Sequence, residues 1–254
     1  MVTAGVDCGA KSVKVVIVQS GRLLSKASVS SGVDTSIAAL QAYETALDLA
    51  GLTSAEVHKV CATGSGRAQV TFSSQEVTEV TADAMGAVHL FPGTRTVIDV
   101  GAEEARAMRV DGLGKVVDFA VNDKCAAGAG AFVEAMARAL EVDLEEMGAL
   151  SMESSTTVAI NAQCAVFAES EVVSLLHART PKPDMARAIH DAIAERVASM
   201  ARRVGVEPLV VLIGGLAKNV GFVHSLSRAL GMDVRTPGDP EFVGALGAAL
   251  IAAQ

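Results

Sequence analysis

The sequence predicts an α/β protein built from two similar halves with a cleft between them, and three observations carry that prediction. First, the opening pattern of strand, tight glycine turn and strand returns near residue 96, where Val97-Ile98-Asp99-Val100-Gly101 matches Val6-Asp7-Cys8-Gly9. Second, a hairpin turn follows each aspartate at nearly the same distance, Ser20-Gly21 in one copy and Asp111-Gly112 in the other. Third, each turn leads into another strand-like run, Lys26 to Val29 and Val116 to Val121, so one supersecondary unit is used twice.

The elements follow in order. Strand signals cover Ala4 to Asp7, Lys14 to Val18 and Leu23 to Val29. A helix then starts at a Ser36 cap, carries Ile37, Leu40, Tyr43, Ala46, Leu47 and Ala50 as its apolar stripe, and closes at Gly51. Val57 to Ala62 reads as a strand entering Thr63-Gly-Ser-Gly-Arg67. The second half is richer in helix: Ala131 to Leu140, then a short strand at Val158 to Asn161, then Ala165 to His177. Behind an Asp184 cap, Met185, Ile189, Ile193, Val197 and Met200 form one apolar face that ends at Gly205. The apolar strand Leu209 to Ile213 runs into Gly214-Gly215, and Asp239-Pro240 opens a last helix that packs through Gly244, Ala245, Gly247 and Ala248. The expected division is 1–88 for the first half, with the helix in 238–254 packing back on it, and 89–237 for the second.

Composition narrows the function. A chain of 254 residues, 50% hydrophobic, has ample apolar surface for a core, which excludes a disordered chain. The net charge of -8 argues against a nucleic-acid partner, because backbone affinity comes from clustered Lys and Arg. Apolar runs such as Phe242 to Ala253 fall short of the roughly 20 residues a bilayer requires, and the start MVTAGVDCGAKS lacks a basic stretch followed by an apolar one. The expectation is a soluble, cytoplasmic protein with no membrane partner. Four cysteines are too few for a disulfide scaffold, so each is core filler, catalytic or a metal ligand.

Three places could carry chemistry. In Asp7-Cys-Gly-Ala-Lys-Ser-Val-Lys14, a carboxylate at a strand end beside a glycine turn can hold hydrated Mg²⁺, while turn amides and Ser12 can bind phosphate oxygens. For one copy alone a hairpin with a surface aspartate is the preferred reading, but Asp99 and Gly101 repeat the device, and two such hairpins could clamp a Mg-triphosphate. Gly214-Gly-Leu-Ala-Lys-Asn219, after a buried strand, lets backbone approach a flat ligand and frees amides for phosphate or ribose. It is neither a Walker motif nor a Gly-x-Gly-x-x-Gly fingerprint, and a plain Gly-Gly turn is the other reading. Finally, Cys125 and Cys164 each precede a helix, where exposed amides favour a thiolate or an anionic cluster. Two such cysteines are half of the four thiolates of an iron–sulfur cluster, which a two-fold dimer would complete; on spacing alone an inert buried pair also fits. Cys8 and Cys61 belong to apolar strands and read as core residues. His58, His89, His177, His190 and His224 show no metal-binding spacing.

Asn122-Asp-Lys-Cys-Ala-Ala-Gly-Ala-Gly130, Cys164-Ala-Val-Phe-Ala-Glu-Ser-Glu-Val172 and Gly214-Gly-Leu-Ala-Lys-Asn219 resemble the ATP-hydrolysing activators of 2-hydroxyacyl-CoA dehydratases and the related ATPase subunits of benzoyl-CoA reductase. The resemblance spans nearly the whole chain. It implies the actin-like ATPase fold of acetate and sugar kinases and Hsp70, and a dimer sharing one 4Fe–4S cluster whose ligands here would be Cys125 and Cys164. It implies ATP or ADP and Mg²⁺ contacts from Gly9, Ala10, Lys11, Ser12 and Lys14, from Gly101 and Ala102 beside Asp99, from Gly128 and Gly130, and from Gly214, Gly215 and Lys218. Asp7, Asp99 and Glu103 would be the catalytic acids. Thr63-Gly-Ser-Gly-Arg67 resembles a family loop near the cleft, and reads equally as a surface turn.

Two departures stand out. Dehydratase activators usually show Gly-Gly-Gln-Asp after the second aspartate, where this chain has Gly101-Ala-Glu-Glu104, with Glu103 left to orient water. Ala10 stands where the family often has serine. The Gly-Ala-Glu-Glu variant resembles benzoyl-CoA reductase subunits more, so the expectation leans to that branch, with a dehydratase activator as the alternative. The implied partners are a second copy or a paralogous chain across a two-fold, an acyl-CoA reductase or dehydratase, and ferredoxin or flavodoxin as electron donor, in an anaerobic setting. ATP is needed because raising one electron by about 300 mV costs about 7 kcal/mol. Two rivals remain: a small-molecule kinase of the same fold, with Glu103 or Asp83 as base, and a non-redox actin-like nucleotide-binding scaffold.

Overall fold

The computed structural model describes residues 1–122, 129–160 and 165–254, with the backbone alone at 165 and 166. Cys125, Gly128, Asn161 and Cys164 lie outside the described residues. The chain groups into two compact units. One comprises residues 1–97, 110–117 and 237–254, and the other residues 98–109 and 118–236.

The first sheet has the order β3-β2-β1-β4-β5, formed by β1 (Val2–Cys8), β2 (Ser12–Gln19), β3 (Arg22–Ser30), β4 (Lys59–Thr63) and β5 (Gln75–Glu76). β1 pairs antiparallel with β2 and parallel with β4, which places Lys14 and Thr63 on either side of Asp7. The strands are runs of Val, Ile and Ala because both faces are covered: on β2, Val15 and Ile17 are buried on one face and Val16 and Val18 on the other, and each such side chain contributes about 1.5–3 kcal/mol of burial.

One face of this sheet carries α1 (Thr35–Ala50). Its cap is Asp34, not Ser36: the Asp34 carboxylate accepts from the amides of Ser36 and Ile37, and a carboxylate there also complements the helix dipole. The buried face is also rotated from the expected stripe. Ala38, Ala39, Ala42, Tyr43, Ala46 and Leu47 face the sheet, while Ile37 is 64% and Leu40 46% exposed. A face of four alanines lets the helix backbone approach the strands closely, which turns the bulkier Ile37 and Leu40 outward.

The other face carries α8 (Val243–Ala252), which also packs on α2 (Glu79–Leu90). Glycines make both contacts possible. A Cβ on Gly5 would lie 1.8 Å from the Ala245 carbonyl oxygen, and one on Gly247 would lie 1.8 Å from the Ala82 carbonyl oxygen. Asp239 does not cap this helix; it ion-pairs with Lys26, and a short 3₁₀ turn over Pro240–Phe242 intervenes.

The second sheet has the order β10-β9-β6-β7-β8, from β6 (Thr96–Val100), β7 (Ala105–Val110), β8 (Val116–Asn122), β9 (Val210–Ile213) and β10 (Val234–Arg235). Reversed, this is the order of the first sheet, with β6 in the place of β1, β7 of β2, β8 of β3, β9 of β4 and β10 of β5. The helices of this half are α3 (Gly130–Leu140), α4 (Met147–Met152), α5 (Ala165–His177), α6 (Lys182–Val204) and α7 (Val220–Leu230). All five expected apolar positions of α6, from Met185 to Met200, are buried.

Asp184, however, sits inside the first turn of α6 rather than at its cap. Its Oδ1 accepts from the Ser154 hydroxyl and the Ser155 and Thr156 amides, and its Oδ2 from the Thr156 hydroxyl. Those bonds hold its carboxyl down at about pKa 2, and they pin the 154–156 loop to the helix. Val158 to Ile160 forms no strand.

Candidate functional site

In the first unit the site begins where β1 ends. Asp7 is half-buried and faces Lys14 across the β1–β2 pair, with Nζ 3.3 Å from Oδ2. The intervening turn closes with a Gly9 amide donated to the Ser12 carbonyl, and Ser31 braces it by donating its hydroxyl to the Gly9 carbonyl at 2.7 Å and its amide to the Lys11 carbonyl. Ser12 is half-buried, whereas Ala10 and Lys11 stand exposed at the tip. Gly9 is constrained by the cation, since a Cβ there would lie 2.9 Å from the Lys14 ammonium.

Two further groups meet Asp7 in this unit. Asp83, buried on α2, approaches Gly244 of α8 so closely that a Cβ on Gly244 would lie 2.9 Å from Asp83 Oδ1, and the same Cβ would lie 3.8 Å from Asp7 Oδ2. A glycine thus keeps open the space onto which two carboxylates look. Beside them, the Thr63 hydroxyl is buried without a hydrogen-bond partner, at the β4 position paired with Asp7.

Hard carboxylate oxygens around a gap that one methyl would fill suit a hydrated Mg²⁺, which keeps several waters and takes one or two carboxylates. Among the described residues no three His, Cys, Asp or Glu side chains converge as a chelating group, so phosphates and water would complete the shell.

The second unit repeats the device at the end of β6. Asp99 is buried, and the four-residue turn after β6 closes with a Gly101 amide donated to the Glu104 carbonyl. The amides of Gly130 and Ala131 donate to the carbonyls of Gly101 and Ala102, so the first turn of α3 is fastened to this loop. Gly130 cannot carry a side chain without crowding, because its Cβ would meet the Gly101 oxygen at 3.0 Å.

Gly214 lies against the other side of Asp99. Its φ is +87°, and a Cβ there would lie 2.3 Å from Asp99 Oδ1 and 2.5 Å from the Val100 carbonyl oxygen. Gly64 is its counterpart after β4, with φ +92° and a Cβ that would strike the Cys8 backbone at 2.4 Å. The repeat therefore extends to the glycine that lets each neighbouring strand end pass the aspartate strand. Gly215 is open, and Lys218 ends the following 3₁₀ turn in an exposed position.

Glu103 is exposed at the loop, while Glu104 binds Arg106. Arg106 escaped the sequence reading, which had Asp83 only as a base in the kinase alternative, Thr63 and Glu104 only as members of their loops, and Gly244 only as a helix-packing residue. A signal for Arg106 was present: it follows Asp99 by seven residues, as Lys14 follows Asp7.

Cys8 and Cys61 are buried free thiols. Burial, with the neighbouring Asp7 charge second, pushes Cys8 up to about 12 despite the opposing Lys14 ammonium, and burial followed by Glu76 pushes Cys61 to about 11. Both are therefore protonated core side chains, unsuited to metal ligation. The thiol donors left in the sequence are Cys125 and Cys164, of which Cys164 immediately precedes α5 and Cys125 lies five residues before α3.

The profile of the BadF/BadG/BcrA/BcrD ATPase family matches residues 4–252. The structure of the activator of the 2-hydroxyisocaproyl-CoA dehydratase from Clostridium difficile with bound ADPNP superimposes with a TM-score of 0.94 at 38% identity, covering 99% of this chain and 94% of that one. The (R)-2-hydroxyglutaryl-CoA dehydratase activating ATPase of Acidaminococcus fermentans is 38% identical over 98% of this chain and 96% of its own length. A benzoyl-CoA reductase component of Thauera aromatica is 34% identical over 98% of this chain and 92% of its own length. A ROK family glucokinase from Streptomyces griseus, at 17% identity and a TM-score of 0.60 over the full length of both chains, shows the shared fold alone, that of the actin-like ATPases. On these grounds the chain belongs to the BadF/BadG/BcrA/BcrD ATPase family.

Proposed function

We propose that this chain is the ATP-hydrolysing activator of a 2-hydroxyacyl-CoA dehydratase, passing electrons to it at low potential. The observation that carries the reading is the duplicated loop: Asp7 and Asp99 occupy equivalent positions on two sheets of the same strand order, each followed by a glycine turn. Support comes from the relative that binds ADPNP and shares 38% of the sequence across 99% of the chain. The branch moves from the sequence expectation, because dehydratase activators are the relatives at 38% identity and the reductase component stands at 34%.

The geometry supports the following roles. Asp7 and Asp83 would hold a hydrated Mg²⁺ beside Gly244, and the ion would supply positive charge to offset that of the phosphates. Lys14 offers a point charge to a phosphate oxygen, and Gly9, Ala10, Lys11 and Ser12 supply turn amides and a hydroxyl. The Asp99 loop, with Gly101, Ala102 and the exposed Glu103, faces phosphate and attacking water; Gly128 and Gly130 lead into α3. Gly214 and Gly215 let backbone lie close to the nucleoside, with Lys218 alongside.

Cys125 and Cys164 of each of two chains would hold one shared 4Fe–4S cluster, which would supply one-electron redox chemistry. The first turn of α3, whose amides donate to the Gly101 and Ala102 carbonyls, begins five residues after Cys125 in the sequence. Ferredoxin or flavodoxin is the electron donor.

Oxygen-free purification tests this reading. The expected result is four irons per dimer, lost in Cys125→Ser and in Cys164→Ser with nucleotide binding retained, and ATP-dependent activation of a 2-hydroxyacyl-CoA dehydratase. An iron-free monomer that leaves such a dehydratase inactive overturns it. A second reading, an ATPase component of benzoyl-CoA reductase, draws on Gly101-Ala-Glu-Glu104 and predicts ATP-dependent electron delivery to the reductase instead.

A further inference from the structure

The two copies of the loop differ in the cation that faces the aspartate. In the first, Lys14 reaches Asp7 with a single ammonium at 3.3 Å. In the second, Arg106 places Nη1 2.7 Å from Asp99 Oδ2 and Nη2 on Glu104 Oε2 at the same time, with its own side chain only 12% exposed. An ammonium on a flexible stem is a compact charge that yields to a competing cation, whereas a guanidinium fork fixed across two carboxylates is planar, permanently charged and held by both. The remaining Asp99 oxygen lies against Gly214, where a Cβ would come within 2.3 Å of it. One oxygen of Asp99 is thus engaged by Arg106, and the other lies beside the Gly214 backbone.

We propose that Arg106 is a positioning residue that closes Asp99 and Glu104 to direct coordination of a divalent cation, leaving the Asp7 loop as the one whose carboxylate binds the metal directly. This deepens the reading of Asp7 and Asp99 as nucleotide-loop carboxylates and rests on it. The duplicated hairpins then divide the work. The lysine copy releases its aspartate to the ion. The arginine copy holds its aspartate and Glu104 as a fixed anionic wall and keeps the 101–104 turn, to which α3 is fastened, in one shape.

The test is Mn²⁺ binding to nucleotide-free protein, followed by electron paramagnetic resonance and equilibrium dialysis. Mn²⁺ is an octahedral, oxygen-preferring substitute for Mg²⁺. Removing the fork in Arg106→Gln takes from Asp99 and Glu104 the guanidinium they share, and the expected result is one additional Mn²⁺ per chain, bound at least tenfold tighter than any Mn²⁺ at the 99–104 loop of the unaltered protein. Arg106→Gln combined with Asp99→Asn returns binding to the original level. Arg106→Lys keeps the charge without the fork and gains the site more weakly, which serves if the glutamine variant fails to fold. A merely structural arginine lowers the melting temperature of these variants without creating a metal site. Mn²⁺ binding by both Arg106→Gln and Arg106→Lys at the original level overturns the proposal. Because no nucleotide is present, failure of the ATPase reading appears separately, as absence of ATP turnover in the unaltered protein.

Discussion

Replacing Gly214 with alanine puts a methyl group where the structure has no room. The site has φ +87° and ψ 174°, a region that only glycine populates readily, and residues forced into it cost about 1–3 kcal/mol. The new Cβ would also stand 2.3 Å from Asp99 Oδ1 and 2.5 Å from the Val100 carbonyl oxygen. The carboxylate could rotate, but the carbonyl belongs to the β6 backbone, so overpacking adds about 1–3 kcal/mol. Together these give about 2–6 kcal/mol, and at 2–4 °C per kcal/mol for a chain of this size the melting temperature falls by at least about 4 °C. Gly215 is the matched control: a Cβ there meets nothing within 4 Å, so Gly215→Ala stays within about 0.5 kcal/mol of the parent. Thermal melts followed by circular dichroism compare the two. Equal melting temperatures for Gly214→Ala and Gly215→Ala would refute the argument that this glycine is required by the approach of β9 to Asp99.

Burial holds the His190 imidazole down at about pKa 4, against 6.5 when the chain unfolds. The unfolded chain therefore binds the extra proton between those values, so this stability is whole above pH 6.5, falls as pH drops towards 4, and amounts to about 3 kcal/mol. His190→Leu should flatten that part of a urea-midpoint versus pH curve; an unchanged curve contradicts the assignment. Asp184 titrates the other way, its carboxyl lowered by the 154–156 loop, so its contribution is present above pH 3.8 and lost as pH falls towards 2. Asp184→Ala should speed hydrogen exchange at the Ser155 and Thr156 amides while leaving the interior of α6 slow, and unchanged exchange at both amides would show that the loop is held by something else. Gly247→Ala drives a Cβ to 1.8 Å from the Ala82 carbonyl oxygen and should cost about 1–3 kcal/mol or more by denaturant titration, whereas a midpoint matching the parent's would mean α8 and α2 slide apart freely.

What the sequence made legible is what short-range pattern encodes. The repeat of Asp7 and Asp99, each followed by a glycine turn, predicted two like halves, and the matching strand orders are its structural form. The α6 stripe was readable because a helix with one buried face repeats at 3.6 residues. The α1 face was not, because hydrophobicity ranks Ile37 and Leu40 above alanine, while the packing against β2 and β3 selects small residues. Asp184 and Asp239 resemble helix caps in sequence, yet tertiary partners, the 154–156 loop and Lys26, claim their carboxylates. Asp83 joined the site only through the contact of α2 with Gly244, some 160 positions later, which no local spacing announces. Arg106 was hidden for a different reason: its seven-residue offset from Asp99 becomes visible only when the repeat is extended to the cation.

If both aspartates of the duplicated loop serve ATP hydrolysis, as proposed, turnover must depend on each carboxylate, and Asp7→Asn and Asp99→Asn measure that dependence. Each replacement keeps size and removes charge. Steady-state Mg-ATP hydrolysis by the oxygen-free protein should fall at least a hundredfold in each, with the melting temperature of Asp7→Asn close to the parent's. Undiminished hydrolysis in either variant would contradict it.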